Sequence, residues 1–341
     1  MRAAFCVAPG QFELRDVPEP APAPGEVLIK IHNCGICGSD LHWYHGGGIP
    51  IPSVCPGHEI SGEVAALGNG VRGVRAGDRV AIEPLLVCHE CRYCRSGEYQ
   101  LCRRMRIRGI SADGGFADYV SMPESAVFPL PQSVDWELGA MAEPMAVCVH
   151  ALRLAALPVG ARVLVLGAGT IGLLAIVAAR AAGAAEVLIS ARYPHQHAAA
   201  ERLGARVFDA SSEGAARLID YGYHNPVDAV IETVGGVADT LNDAVQLVRA
   251  GGVVVVLGVF TGPVTCNGLL LVSKEVRIVG SLTYSRAGVR AEFEIALQLL
   301  AEQRTSLRPL VTHTFSLDRV GEGFAAASDK TSGAIKVTVT S

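Results

Sequence analysis

The sequence has no excess of positive charge and no long unbroken hydrophobic segment. Lysine and arginine total 29 against 33 acidic residues, a formal net charge of −4, so no basic field attracts nucleic acid or an anionic membrane. The longest strongly apolar run, Val163 to Ala179, contains glycines and is marginal for a membrane span. The first residues lack the apolar core and cleavage site of a signal peptide. We therefore expect a soluble, cytoplasmic protein without nucleic-acid or membrane partners.

Aromatic residues are also few, at 6%, yet half of the 341 residues are hydrophobic. That much apolar material supports a sizeable core, and the length favours about two domains. The chain contains ten cysteines. Because the cytoplasm keeps thiols reduced, we expect these cysteines to be free, catalytic or metal-bound rather than paired in disulfides.

Four of the cysteines are crowded into the stretch CHECRYCRSGEYQLC, with the spacing C-x2-C-x2-C-x7-C. Two-residue gaps allow successive thiolates to face one centre at about 2.3 Å from a zinc ion. Gly97 permits the chain reversal that returns the last thiolate. Four thiolates leave no open position, so the pattern predicts a structural zinc site at Cys88, Cys91, Cys94 and Cys102.

Other interpretations of this cysteine cluster are four unconnected thiols, an iron–sulfur cluster, or the zinc ribbon of a binding protein. An iron–sulfur cluster fits less well because this lobe offers few apolar residues to shield it. The cluster alone does not separate an enzyme from a binding protein.

A second set of possible metal ligands is spread over three motifs, CGICGSDLHWYH, CPGHEISGEV and MAEPMAVCVHA. A thiolate, an imidazole and a carboxylate together hold zinc while leaving one position for water or an alcohol. A hydroxyl and a second imidazole nearby have the spacing of a proton path. The candidate residues are Cys37, Ser39, His42, His58, Glu59 and Glu143.

The stretch RVLVLGAGTIG combines a short strand pattern at 162–166 with a G-x-G-x-x-G run that opens a helix. The first glycine permits a tight turn, the second lets the backbone approach a pyrophosphate, and the third lets the helix pack on the strand. The helix N-terminus presents free N–H groups to the phosphates. The stretch predicts a dinucleotide site that includes Gly167, Gly169, Thr170, Ile171 and Gly172.

Further strand and helix patterns alternate after this turn, which predicts a doubly wound parallel sheet. They include strands at 228–235 and 251–258 and a helix near 237–249. The N-terminal part is rich in Gly, Pro and short alternating apolar runs, which are typical of a β-rich domain. We therefore predict an α/β protein with two domains.

Taken together, the chain resembles the zinc-dependent medium-chain dehydrogenases, most closely the sorbitol and butanediol dehydrogenase branch. The matching motifs run in family order and include GICGSDLH, PGHEISGEV, AGDRVAIEP, the four-cysteine lobe, DGGFADYV, GAMAEPMAVCVHAL and VLVLGAGTIG. The resemblance implies a GroES-like catalytic domain at 1–149 and 287–341, with the zinc lobe at about 84–104, and a Rossmann domain at 150–286.

The resemblance also implies roles for the candidate residues. Cys37, His58 and either Glu59 or Glu143 would hold a catalytic zinc, while Cys88, Cys91, Cys94 and Cys102 hold a structural one. Ser39 would accept the proton of the substrate hydroxyl and His42 would pass it toward solvent. The implied enzyme is a homo-oligomer, dimer or tetramer, that acts on a small-molecule alcohol or ketone.

The cofactor is expected to be NADP rather than NAD. NAD-dependent relatives place an acidic residue after the second Rossmann strand to bind the ribose 2′-hydroxyl. That position falls on Ala191 here, flanked by Ser190 and Arg192, a combination that suits a 2′-phosphate.

The substrate is expected to be a secondary alcohol or polyol. Sorbitol dehydrogenases place an arginine–tyrosine pair after the last Rossmann strand, whereas this chain has Thr283 and Tyr284, which puts sorbitol itself in doubt. Two alternatives remain: a zinc-free alkene or quinone reductase of the same superfamily, and a non-enzymatic zinc-ribbon protein that binds nucleotides.

Overall fold

The strands of the chain are mostly short. A computed structural model describes residues 1–47 and 49–341. In chain order the strands are β1 (Arg2–Ala8), β2 (Gln11–Asp16), β3 (Glu26–Gly35), β4 (Glu59–Leu67), β5 (Arg79–Ile82), β6 (Leu85–Leu86), β7 (Arg106–Ile107), β8 (Tyr119–Pro123), β9 (Val127–Pro129), β10 (Arg162–Leu166), β11 (Glu186–Ala191), β12 (Arg206–Asp209), β13 (Val227–Glu232), β14 (Val248–Val256), β15 (Arg277–Gly280), β16 (Arg286–Ala287), β17 (Arg290–Ala291), β18 (Val311–Ser316) and β19 (Lys336–Thr340).

Among the described residues, the helices of eight or more residues begin at or after Ala142. In order the α-helices are α1 (Gly38–Tyr44), α2 (Arg92–Arg95), α3 (Trp136–Gly139), α4 (Ala142–Ala155), α5 (Thr170–Ala181), α6 (Pro194–Arg202), α7 (Ser212–His224), α8 (Thr240–Leu247), α9 (Gly268–Ser273), α10 (Glu292–Glu302), α11 (Arg304–Leu307) and α12 (Val320–Ser328). Short 3₁₀ turns occur at Tyr99–Leu101, Glu124–Ala126, Arg308–Leu310, Leu317–Arg319 and Lys330–Ser332.

The chain divides into two compact units. One combines Met1–Ala146 with Ser285–Ser341, and the other is Val147–Tyr284. The first unit therefore holds every residue with a predicted zinc role. The second unit holds the glycine turn and strand β11, at whose end the residues predicted to contact the cofactor ribose lie.

The first unit is built on a sheet with the order β18-β19-β3-β4-β5-β9, in which β8 also pairs with β3. The C-terminal strand β19 and the strand β4 both pair with β3, and Gly35 lies opposite both Thr338 and Glu59. This pairing places the starts of β19 and β4 on either side of the end of β3. The core beneath the sheet is apolar and includes Ile29, Ile31, Ile60, Val80, Phe116 and Phe324.

The second unit contains a six-stranded parallel sheet with the order β12-β11-β10-β13-β14-β15. Its central strands are continuous apolar runs, as expected for a parallel sheet whose two faces are both covered by helices. The strand order reverses between β10 and β13, which is where ligands bind in doubly wound sheets. The predicted helix near 237–249 is shorter, at Thr240–Leu247, because Val248 already pairs with Val227 as the start of β14.

One helical stretch, Trp136–Ala155, is long and apolar enough to cross a membrane by length and composition. However, 78% of its most apolar window is buried inside the fold. Buried core helices have the same length and composition, and the extent to which Trp136–Ala155 is buried matches a helix of that kind.

Candidate metal centres and cofactor-binding turn

The four clustered cysteines converge on one point. Their sulfur atoms all lie within 4.8 Å of one another. The Cys88–Cys94, Cys91–Cys94 and Cys88–Cys102 sulfur pairs are separated by 3.8, 3.5 and 3.5 Å. A tetrahedron with zinc–sulfur bonds of about 2.3 Å has sulfur–sulfur edges of about 3.8 Å. The donor set therefore fits a zinc ion with four thiolate ligands.

Local structure explains why this short segment closes on itself. Helix α2 begins directly after Cys91, and Gly97 adopts a left-handed φ of 84° that reverses the chain. A hydrogen bond from Arg104 lowers the pKa of the Cys88 thiol to about 6. A thiol with such a pKa is largely thiolate at neutral pH, the form that binds metal.

A second group brings together Cys37, His58 and Glu59, whose ligand atoms also lie within 4.8 Å of one another. Cys37 is the N-cap of α1, and the other two residues are buried at the start of β4. One thiolate, one imidazole and one carboxylate provide three ligands and leave a fourth position open. This composition fits a catalytic rather than a structural zinc.

Asp40 lies behind this group and was missed from the sequence, although it belongs to the GSDLH motif. It is 1% exposed, and its carboxylate accepts a hydrogen bond of 3.1 Å from the Cys37 backbone N–H. Its other oxygen lies 3.8 Å from Nδ1 of His58. At this distance Asp40 acts on the imidazole through its charge. Burial lowers the pKa of His58, and the charge of Asp40 opposes this effect and raises it.

Lys336 is the other residue that sequence reasoning missed. Its ammonium forms an ion pair with the Glu59 carboxylate and donates a hydrogen bond of 2.9 Å to the carbonyl of Ile36. Although burial lowers the pKa of Lys336, the neighbouring Glu59 carboxylate raises it above its ordinary value. The only sequence signal is a lysine among the apolar residues of strand β19. The space around this ion pair is tight, because a Cβ at Gly35 would overlap the Glu59 carboxylate.

Glu143 is buried near the start of α4, and it is not part of the three-residue group. Its charge nonetheless acts on the group, since it contributes to raising the pKa values of both His58 and Lys336. The structure therefore places Glu59 among the potential ligands and Glu143 beside them.

Ser39 and His42 lie on α1, which begins at the residue after Cys37. Residues three apart on a helix share a face, so the two side chains are neighbours. Burial, with a smaller effect of the His45 charge, lowers the pKa of His42. The imidazole of His42 is therefore neutral at neutral pH and able to accept a proton.

The glycine turn in the second unit joins β10 to α5. Gly167 has a left-handed φ of 96°, which disfavours any other residue. A Cβ at Gly172 would overlap the carbonyl of Gly167, whereas a Cβ at Gly169 would meet nothing within 4 Å. The first and third glycines thus allow the turn and the helix packing, and the second leaves backbone open to a ligand.

The end of β11 carries the residues predicted to contact the cofactor ribose. Ala191 is buried and Arg192 is exposed at the start of the following turn. The backbone N–H of Arg192 donates a hydrogen bond to the side-chain oxygen of Gln196 at 3.2 Å. Asp209 is the partner of Ala191 on β12, and it accepts a hydrogen bond from the Ser211 N–H at 2.8 Å.

Comparison with known proteins identifies the family. Residues 23–132 match the alcohol dehydrogenase GroES-like domain, and residues 170–302 match the zinc-binding dehydrogenase domain. These matches confirm the predicted fold class, a GroES-like domain plus a Rossmann domain.

Full-length relatives agree with both domain matches. The (R,R)-butanediol dehydrogenase of Bacillus subtilis is 36% identical, with 96% of each chain covered. The sorbitol dehydrogenase of Halalkalibacterium halodurans is 34% identical, with 97% of this chain and 96% of the relative covered. A zinc-binding dehydrogenase from Sinorhizobium meliloti, solved with NADP, superimposes with a TM-score of 0.87 at 33% identity, covering 100% of this chain and 99% of that one.

Proposed function

This chain belongs to the zinc-dependent alcohol dehydrogenases of the medium-chain family, and from that premise we propose that it transfers a hydride between a polyol or diol and NADP. The observation that carries the proposal is the Cys37–His58–Glu59 group, which provides three zinc ligands in the same chain as a nucleotide-binding glycine turn. Related proteins named for butanediol and sorbitol support a substrate with neighbouring hydroxyl groups.

Each residue around the open metal site has a separate role in alcohol oxidation. A zinc ion bound there supplies Lewis acidity that lowers the pKa of a substrate hydroxyl. Ser39 accepts the hydroxyl proton, and the neutral imidazole of His42 passes it onward. Asp40 accepts a hydrogen bond from the Cys37 backbone N–H, which holds this ligand in place, and its other oxygen lies 3.8 Å from Nδ1 of His58.

We assign Glu59 to the metal and Glu143 to its surroundings. Glu59 has a carboxylate oxygen within the ligand group, and Lys336 offsets its charge. Glu143 contributes negative charge next to His58 without joining the group. In this position Glu143 is suited to hydrogen-bond a water or substrate hydroxyl at the open coordination position.

The four-cysteine group has no part in the chemistry. A zinc ion held by Cys88, Cys91, Cys94 and Cys102 would have no position left for a substrate and would stabilise the lobe between residues 88 and 102. A zinc-free reductase would require neither metal group. A non-enzymatic zinc ribbon would require only this one.

For the cofactor we propose NADP. The position where an NAD enzyme carries its ribose-binding acid is Ala191, and the exposed guanidinium of Arg192 follows it. The NADP bound to the Sinorhizobium meliloti neighbour supports this choice. The acidic residue Asp209 pairs with Ala191 on the neighbouring strand β12. One of its carboxylate oxygens accepts a hydrogen bond from the Ser211 N–H.

We further propose a cytoplasmic homo-oligomer that assembles through the edge of the Rossmann sheet. β15 is an edge strand of that sheet, and the preceding helix α9 has no buried residue. Leu269 and Val272 on α9 are 78% and 75% exposed. An open strand edge beside exposed apolar side chains favours pairing with a second copy. Light scattering on the wild type and on Val272→Asp tests this assembly, which predicts a dimer or tetramer that dissociates in the variant.

The proposed activity is tested by a panel of diols, polyols, sugars and amino alcohols, read by nicotinamide absorbance with both cofactors. We expect two zinc ions per chain and turnover with at least one vicinal diol or polyol. Cys37→Ser should lose one zinc and nearly all turnover while still binding cofactor. Cys266→Ser, a cysteine outside both metal groups, is the matched control. A single zinc per wild-type chain without turnover would favour the non-enzymatic zinc ribbon.

A further inference from the structure

Two hydroxyl groups flank the first glycine of the cofactor turn. In the parallel sheet, Leu166 at the end of β10 is paired with Ser190 on β11 and with Glu232 on β13. The residue that follows Leu166 is Gly167, and the residue that follows Glu232 is Thr233. Strand register therefore places Gly167 between the side chains of Ser190 and Thr233.

Both hydroxyls bond to the turn. The backbone N–H of Gly167 donates to Oγ of Ser190 at 3.1 Å. The hydroxyl of Thr233 donates to the carbonyl of Leu166 at 2.8 Å, and the carbonyl of Gly167 lies 3.3 Å from the same oxygen. The N–H of Thr233 also donates to Leu166, at 3.0 Å. The turn is thus tied to both neighbouring strands at the point where the strand order reverses.

The Thr233 hydroxyl also occupies the space that the glycines leave. Its oxygen lies 3.0 Å from where a Cβ of Gly167 would stand and 3.1 Å from where a Cβ of Gly172 would stand. Cγ2 of Val234 borders the same gap, 2.7 Å from where a Cβ of Gly167 would stand. A valine methyl in place of the Thr233 oxygen would lie about 2.8 Å from the carbonyl oxygen of Leu166, which is closer than van der Waals contact allows. The position therefore favours a hydroxyl.

The loop that carries Thr233 is itself fixed. Oε1 of Glu232 accepts hydrogen bonds from the N–H groups of Val234 and Gly235 at 2.8 and 3.0 Å, and from the Thr240 hydroxyl at 2.7 Å. Three donors on one carboxylate oxygen close this loop tightly against α8. These hydrogen bonds therefore fix the backbone position of Thr233.

We propose that Thr233 and Ser190 are positioning residues that preorganise the glycine turn for the cofactor pyrophosphate. The inference rests on the proposed function, since it requires a dinucleotide at this turn. Neither residue need touch the pyrophosphate, because their effect passes through Gly167. Since NAD and NADP share the pyrophosphate, loss of either hydroxyl should weaken both cofactors equally.

Cofactor titration of Thr233 variants tests the proposal. We expect Thr233→Val and Thr233→Ala to raise the Kd for NADP and for NAD alike, each by about 2- to 10-fold, the range for one lost hydrogen bond. Thr233→Ser keeps the hydroxyl and should bind as the wild type does. Thr265→Val, which removes an exposed hydroxyl of the same unit, is the control. The KM for cofactor should rise in the Val variant with kcat nearly unchanged.

Several outcomes would overturn the inference. Equal cofactor affinity in Thr233→Val and wild type would do so, as would a lowered melting temperature with unchanged affinity, which indicates a purely structural threonine. If the wild type bound neither nucleotide, the proposed function would fail first and the inference with it.

Ser190→Ala separates positioning from direct phosphate contact. A similar loss of affinity for NAD and NADP supports the positioning role. A loss confined to NADP would instead assign Ser190 to the 2′-phosphate and remove it from the proposal. In the double variant with Thr233→Val, the two effects should combine non-additively, because both act on Gly167.

Discussion

The ammonium of Lys336 and the carboxylate of Glu59 form an ion pair that is almost completely removed from solvent, with side-chain exposures of 2% and 1%. The two residues begin the strands β19 and β4, both of which pair with β3. The carboxylate is also a proposed zinc ligand. Lys336 therefore links the C-terminal strand directly to the metal site.

In the zinc-free protein, replacing Lys336 by methionine should lower the free energy of unfolding by about 3–5 kcal/mol, because it leaves the buried Glu59 carboxylate without a cationic partner. The free energy of unfolding in urea measures this loss. The double variant Lys336→Met with Glu59→Gln should recover part of it, since no uncompensated charge remains. If the loss of unfolding free energy in the double variant equalled the sum of the losses in the two single variants, the ion pair would have no energetic role.

Replacing Cys91 by alanine should lower the free energy of unfolding by about 3 kcal/mol or more, because zinc binding to a closed thiolate site contributes directly to folding. Thermal unfolding and the zinc content per chain measure the effect together. Cys266→Ala is the control from outside both metal groups. An unchanged melting temperature would contradict the structural zinc.

Replacing His42 by alanine should slow alcohol oxidation by about 10²-fold near neutral pH, with a smaller effect at alkaline pH where hydroxide accepts the proton. The lowered pKa of His42 keeps its imidazole neutral and able to accept a proton down to mildly acidic pH. A pH–rate profile measures this, with the exposed His224→Ala on α7 as control. Parallel profiles for His42→Ala and the wild type would rule out the relay.

Glu83, in the AGDRVAIEP motif, is a buried acid whose environment opposes its charge. Burial raises its pKa from 4.5 to about 8, and the charges of Glu292 and Glu143 add to this shift. A hydrogen bond with Tyr99 and the charge of Arg286 act in the opposite direction. Glu83 is therefore mostly protonated at neutral pH.

The sign of the resulting pH dependence follows from the raised pKa. Between pH 4.5 and 8 the folded state keeps a proton that the unfolded state has released, so raising the pH destabilises the fold. The contribution is about 1 kcal/mol per pH unit between pH 6 and 7.5, and it levels off above pH 8. Unfolding of Glu83→Gln across this range should show a correspondingly flatter slope than the wild type or the exposed control Glu19→Gln. An identical slope in all three would refute the prediction.

Replacing Arg192 by alanine should raise the Kd for NADP by about 10- to 150-fold and leave NAD nearly unchanged, because only NADP presents a 2′-phosphate to the guanidinium. Titration of both cofactors measures this, with the exposed Arg202→Ala on α6 as control. Ala191→Asp should shift preference toward NAD. Tighter binding of NAD than of NADP by the wild type would contradict the cofactor assignment.

The sequence alone determined what depends on local spacing. Ligands separated by only two or seven residues, as in the lobe from Cys88 to Cys102, converge because of short-range chain geometry. The glycine turn and its following helix are local in the same way. Ordered over nearly the whole chain, these motifs also identified the family and both domain types.

Only the tertiary structure decided which distant side chains complete each site. Lys336 reaches Glu59 because β19 and β4 pair with the same strand, and Thr233 reaches Gly167 because β13 lies in register beside β10. No local pattern identifies the partner of either residue, since a lysine or threonine in or beside a strand looks the same in sequence wherever the sheet places it. Strand order and register are properties of the whole sheet, so the partners that hold the metal ligands and the cofactor turn in place emerge only once it has formed.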